Sequence, residues 1–171
     1  LNKPVICGLS MGGYITLRGL ERFQEKFSAA ILCDTRSEAD NNEGKLKRAA
    51  GIKRINKEGS AGFTKDFITN CFGDYSKQNK KDLIESVIDN SLMFDPVGVK
   101  GALLAMLSRT DTTPVLSKIN IPTLIICGEH DTLTPPEVMK EMFHKIKNAE
   151  YVEINNSGHM TPLENPELVT N

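Results

Sequence analysis

No run of apolar residues in this sequence approaches the length that would cross a membrane. No excess of one charge is present either. The formal net charge is −1, which leaves no electrostatic case for binding nucleic acid or an anionic membrane surface. Cysteine is sparse: Cys7, Cys33, Cys71 and Cys127 are the four, and no two share the spacing of a metal-binding pair. The three histidines, His130, His144 and His159, are scattered. No metal site is therefore expected, and no cofactor is implied. The cysteines read as buried free thiols of a reducing compartment, which points to the cytoplasm. No leader peptide is expected, because the chain starts almost directly in a strand.

What is present is organised around Pro4-Val5-Ile6-Cys7-Gly8-Leu9-Ser10-Met11-Gly12-Gly13-Tyr14. A short apolar run ends in Gly-x-Ser-x-Gly, and a helical pattern follows. Such a turn from strand to helix lifts the Ser10 hydroxyl clear of the backbone. Gly8 and Gly12 flank it, on the expectation that a Cβ at either place would meet the crossing strand or helix. The helix that starts near Met11 aims its free N–H groups at the same spot, where a negative oxygen can be held.

Hydrophobic residues make up 39% of the 171, enough for one core. The pattern predicts a strand over 1–8, a helix over 11–25 and a nearly all-apolar strand over 27–33, as expected when both sheet faces are covered. Strand, helix, strand is the crossover unit of a parallel sheet. From Ser37 to about Thr113 strand character vanishes. Four amphipathic helices are predicted, over 45–57, 60–72, 80–90 and 96–109. Strand character returns over 121–127 and 149–154, with a helix between them and another from Thr161. The expected architecture is an α/β fold with a parallel sheet of about four strands, built from 1–36 and 114–171, and an all-α cap over 37–113.

Ser10, Asp131 and His159 each fall just past the carboxyl end of a predicted strand, where open α/β sheets place their sites. Their types suit acyl transfer. His159 takes the Ser10 proton, Asp131 fixes and supports the imidazole, and Ser10 attacks a carbonyl. The Met11 N–H would face the developing oxyanion. Glu129 and Asp34 are competing acids, and Asp34 also ends a strand. Phe67, Phe94, Leu103 and Leu107 are candidates for an apolar roof over the substrate, together with Phe72 and Met93. Arg36 or Arg109 is a candidate to hold a substrate carboxylate.

Gly8-Leu9-Ser10-Met11-Gly12-Gly13, Gly128-Glu129-His130-Asp131-Thr132-Leu133-Thr134-Pro135 and Gly158-His159-Met160-Thr161-Pro162-Leu163-Glu164-Asn165-Pro166 together resemble the α/β-hydrolase superfamily. The stretch Asp34-Thr35-Arg36-Ser37-Glu38-Ala39-Asp40 is similar to esterases and lactonases of the 3-oxoadipate enol-lactonase type. The resemblance implies a serine hydrolase acting on a small-molecule ester or lactone. The alternatives are an acyltransferase or perhydrolase of the non-haem haloperoxidase type, and a non-catalytic fragment or ligand-sensing protein. Relative to that family, the chain opens at what resembles the fifth strand of eight. The loop that supplies a second oxyanion N–H is missing, and the last helix is cut short at Asn171. The sequence is thus read as the C-terminal part of a longer enzyme or a truncated form. Its first strand is expected to expose an unpaired edge that recruits a second copy or a missing N-terminal piece.

Overall fold

The computed structural model describes residues 3–170. The expected start of the first strand at Leu1 and the expected end of the last helix at Asn171 lie outside them. Four strands, β1 (Val5–Leu9), β2 (Ala29–Cys33), β3 (Thr123–Gly128) and β4 (Ala149–Ile154), form one sheet in that spatial order. Every pairing is parallel. Helix α1 (Met11–Phe23) joins β1 to β2. This is the α/β architecture that the hydrophobic pattern predicts.

Alternation along the inner strands divides the core between two faces. Ala30 and Leu32 of β2 and Ile125 and Cys127 of β3 pack with Leu17 and Leu20 of α1. Helix α7 (Thr113–Leu116) adds Leu116 and helix α8 (Pro136–Lys145) adds Met139 and Met142. Burial of these side chains is the main stabilising term, on the order of 1.5–3 kcal/mol each. The other face carries Ile31, Cys33, Leu124 and Ile126, closed by Ile154 and by Val169 of helix α10 (Pro166–Thr170). It is the barer of the two: Ile31 and Leu124 are only half-buried. The expectation that β2 is covered on both faces therefore holds for one face and only in part for the other. Cys7 departs from expectation too. It is exposed, whereas Cys33, Cys71 and Cys127 are buried. The reason is that β1 is the edge strand and pairs only with β2 among the described residues. Burial pushes the Cys33 and Cys71 thiols up to about 12, so neither is poised as a nucleophile.

Between β2 and α7 the chain builds an all-helical insertion: α2 (Asn42–Glu58), α3 (Ser60–Cys71), α4 (Asp74–Asn79), α5 (Lys81–Leu92) and α6 (Pro96–Ser108). Helix α2 packs on α6, and α3 on α5. The apolar repeats reveal four of these helices. Helix α4, with the sequence DYSKQN, has no apolar period to betray it. Helix α2 begins three residues earlier than the pattern suggests, because the Asn41 side chain accepts from Gly44 N–H and caps it. The two ends of the insertion meet. The Ser37 carbonyl accepts from both the N–H and the hydroxyl of Thr112, each at 2.9 Å, and the Ser37 and Thr113 hydroxyls lie 2.9 Å apart.

The last helical segment is broken in two. Helix α9 (Thr161–Glu164) stops at Asn165, and α10 starts at Pro166. Proline lacks the N–H that would continue the helix and drives the preceding residue out of the helical region. Among the described residues no single helix is long and apolar enough to cross a membrane.

Candidate active site

The turn after β1 sets the first group. Ser10 has φ 51° and ψ −115°, a conformation an L-residue holds only when its surroundings impose it. They do. Its N–H donates to the Cys33 carbonyl at 2.9 Å, and its carbonyl accepts from Gly13 N–H at 2.9 Å and from the Thr35 hydroxyl at 2.8 Å. A Cβ on Gly8 would sit 2.4 Å from the Gly12 carbonyl group, so β1 and α1 touch there backbone to backbone. Gly12 is the exception to the sequence expectation, because a Cβ there would enter open space. The tight partner position is Gly13, whose added Cβ would lie 2.3 Å from the Thr35 hydroxyl.

Asp131 follows β3, and His159 lies in the loop between β4 and α9. The turn brings all three side chains together across the sheet's carboxyl edge. The Ser10 hydroxyl lies 2.7 Å from His159 Nε2. His159 Nδ1 lies 2.7 Å from Asp131 Oδ2. His159 and Asp131 are both buried, while Ser10 is half-buried and reachable. Burial alone would raise the Asp131 carboxyl. The hydrogen bond and charge of His159, with the Thr134 hydroxyl and N–H, outweigh it and hold that carboxyl below its ordinary value. An ionised Asp131 accepts only, so Nδ1 must carry the proton and Nε2 is left free to accept from Ser10. The Met11 N–H, first of α1, has no protein acceptor among the described residues.

Of the competing acids, neither reaches the ring. Glu129 accepts from Asn156 N–H at 3.0 Å and pairs with His130. Asp34, fully buried, accepts from Gly128 N–H at 2.9 Å and from the Thr161 hydroxyl at 2.7 Å. Burial raises its carboxyl to about 6 against the pull of those donors. Three further side chains brace this centre without having been candidates in their own right. Thr134 donates its hydroxyl to Asp131 Oδ2 at 2.6 Å. Thr35 braces Ser10. Glu164 accepts from Gly158 N–H at 2.8 Å, directly beside His159. The signal that could have found all three is that each lies inside one of the stretches that carry the family resemblance.

A cleft of about 320 Å³ opens over Ser10 and His159, walled by Tyr14, Arg36, Phe67, Met106 and Leu133. A second, of about 690 Å³, runs between α1 and α6 and shares Tyr14, Arg36 and Met106 with it. Of the expected apolar lining, Phe67 is at the wall. Leu103 is buried against α2, where a Cβ on Gly51 would lie 3.4 Å from it. Leu107, one turn on, shares its stripe and lines neither cleft, because Ala102, Ala105 and Met106 form the cleft side of α6. Phe94 and Met93 sit in the turn between α5 and α6, largely exposed and away from both clefts. Phe72 is buried where the insertion meets the sheet part, in a cluster that takes in Ile84, Ile88, Leu133 and Met160. Arg109 is occupied: it pairs with Asp40 at 2.8 Å and lies over the Tyr14 ring. Arg36 donates to the Leu133 carbonyl at 2.6 Å and meets no carboxylate among the described residues.

Comparison with known proteins adds three findings. Residues 2–166 match the family model described as serine aminopeptidase, S33. The 3-oxoadipate enol-lactonase 1 of Acinetobacter baylyi is 26% identical over 98% of this chain and 61% of its own length. Among solved structures, a thermophilic esterase from Thermogutta terrifontis, determined with malate bound, superposes with a TM-score of 0.93 at 34% identity, covering 99% of this chain and 62% of that one. The enol-lactonase of Burkholderia xenovorans LB400 shares the fold, with a TM-score of 0.86 at 22% identity over 99% of this chain and 63% of that one. The chain thus spans a little under two thirds of the length of each.

Proposed function

Because the chain belongs to the α/β-hydrolase superfamily, within the family described as serine aminopeptidase, S33, we propose that it supplies the catalytic centre of a serine hydrolase cleaving a carboxylic ester or lactone. The observation that carries this reading is the unbroken relay from Ser10 Oγ through the His159 ring to Asp131, 2.7 Å at each step. Ser10 Oγ attacks the substrate carbonyl carbon as its proton passes to His159 Nε2. The negative oxygen so formed turns to the Met11 N–H. Collapse expels the alcohol, which takes the proton back from His159 and leaves Ser10 acylated. Water repeats the sequence and frees the acid. Asp131 keeps the imidazole in one tautomer and supports its charge.

The acyl or alcohol group lies against Phe67, Met106 and Leu133 in this reading. Arg36, with donors to spare beside Ser10, takes a polar or anionic end of the substrate. The names of the esterase and enol-lactonase relatives fit an ester or lactone and leave its identity open.

The test is labelling of Ser10 in the full-length protein by a fluorophosphonate, read by peptide mass spectrometry, alongside hydrolysis of p-nitrophenyl esters and simple lactones. Modification at Ser10 and loss of turnover in Ser10→Ala are expected; a fully folded protein that never labels there overturns the assignment. Partition of the acyl group between water and added peroxide or alcohol separates a hydrolase from a perhydrolase or acyltransferase.

A further inference from the structure

Glu164 is a buried carboxylate held almost wholly by backbone. Its Oε1 accepts from Gly158 N–H at 2.8 Å and from Met160 N–H at 3.1 Å, the amides on either side of His159. Its Oε2 accepts from Gly73 N–H at 2.8 Å, across the boundary in the helical insertion. The N–H of His159 itself goes to the Cys71 carbonyl at 2.7 Å. The three consecutive amides of the histidine loop are thus spent on a carboxylate and on the insertion, and none is spent on the sheet. The contact is also close: a Cβ on Gly158 would lie 2.4 Å from Gly73 N, and one on Gly73 would lie 2.9 Å from Gly158 N. Glu164 has no cationic partner among the described residues. Lys80, from the insertion, donates to its backbone carbonyl instead.

We propose that Glu164 is a positioning residue for His159 and that it acts through the insertion, fastening the turn at 71–73 to the histidine loop so that Nε2 faces Ser10 only while that turn is seated. The inference rests on His159 being the base of the proposed hydrolase. Converging backbone N–H groups form a nest for an anion, and here one carboxylate accepts from three of them, those of Gly158, Met160 and Gly73. A glutamine cannot. One end of its amide is a donor, and whichever way it turns, that donor faces either Gly73 N–H or the Gly158 and Met160 N–H pair. Glu164→Gln therefore breaks the stitch on one side while keeping volume.

The experiment compares wild type, Glu164→Gln and Gly73→Ala in the full-length protein. It measures kcat and KM for an activated ester, the fluorophosphonate labelling rate of Ser10 and the melting temperature. Both variants are expected to lose about 10- to 100-fold in kcat and in labelling rate with KM within a few-fold, as a small misplacement of a catalytic group does. The double variant is expected to lose no more than the worse single one, because both cut the same tie. Folded Glu164→Gln with unchanged kcat and labelling rate, whatever its melting temperature, overturns the proposal and leaves the hydrolase reading intact. An inert wild type overturns both. If Glu164→Gln does not fold, Glu164→Asp, which keeps the charge and falls one methylene short, is held to the same criteria.

Discussion

At the scale of single residues, Asp34 couples the site to acidity. It lies under the relay with a positive φ of 44°, and its two oxygens bind the end of β3 and the start of α9. Its carboxyl rises from the ordinary 3.8 to about 6. The folded protein therefore keeps this proton to higher pH than the unfolded chain does. The preference stabilises the fold below pH 4 and is lost as pH rises through 6, a change of at most about 3 kcal/mol. Asp131 has the opposite sign: its depressed carboxyl stabilises the fold above 3.8 and fails only in stronger acid. Urea melts at pH 4.5, 5.5 and 6.5 should show wild type weakening across the series relative to Asp34→Asn. Parallel pH slopes in the two proteins would show that Asp34 does not titrate there. The positions of Ser10, Asp131 and His159 were legible because each stands in a short motif at a strand end. Thr35, Thr134 and Glu164 were not, because a threonine or glutamate that hydrogen-bonds to backbone or to a neighbouring carboxylate leaves no periodic trace. Asp34 was legible as a polar residue closing a strand, but its actual partners, Gly128 and Thr161, are remote in sequence.

At the scale of elements, close backbone approaches do more than side chains to aim the site, and they sort the glycines of the first motif. Gly8 faces the Gly12 carbonyl group and the Thr16 hydroxyl, whereas Gly12 faces nothing within 4 Å. Gly8→Ala should cost about 3 kcal/mol or more by forcing β1 and α1 apart. Gly12→Ala should be neutral or gain up to about 1 kcal/mol from helix propensity. Chemical denaturation of both variants decides, and equal losses would mean that the elbow is held by something other than this contact. The sequence could not separate the two glycines, since spacing says where a turn is and not which flank is crowded. The strands and long helices were readable from hydrophobic period. Helix α4 has no apolar period, while the early start of α2 and the break at Asn165 depend on a cap and a proline, whose effects reach only a residue or two.

At the scale of the whole molecule, the sheet is closed on one face and, among the described residues, bare at one edge. Val5 and Cys7 stand exposed on β1, and Met11, Ile15 and Phe23 are large exposed apolar side chains along α1. Unpaired strand groups beside apolar surface are a template for association. The 171-residue chain, expressed alone, should elute above monomer size in light-scattering chromatography or melt without a sharp transition. A monomer with one cooperative transition would show that the edge needs no partner. The parallel sheet and the all-helical interruption were both plain from the order of strand-like and helix-like segments, because each needs a different apolar period. What the interruption covers was not, since Leu103 and Phe94 look alike in sequence and differ only in which way their helix or turn faces.

The narrow neck at Ser37 and Thr112 would seem to make the helical insertion easy to transplant between sheets. The seam at 71–73 forbids a free exchange. Any foreign module grafted at the neck would have to arrive with a carbonyl where Cys71 has one, an amide where Gly73 has one, and no side chain at the Gly73 position. Diversification of the insertion is therefore constrained at a turn about 35 residues from one junction and about 40 from the other, directly beside His159.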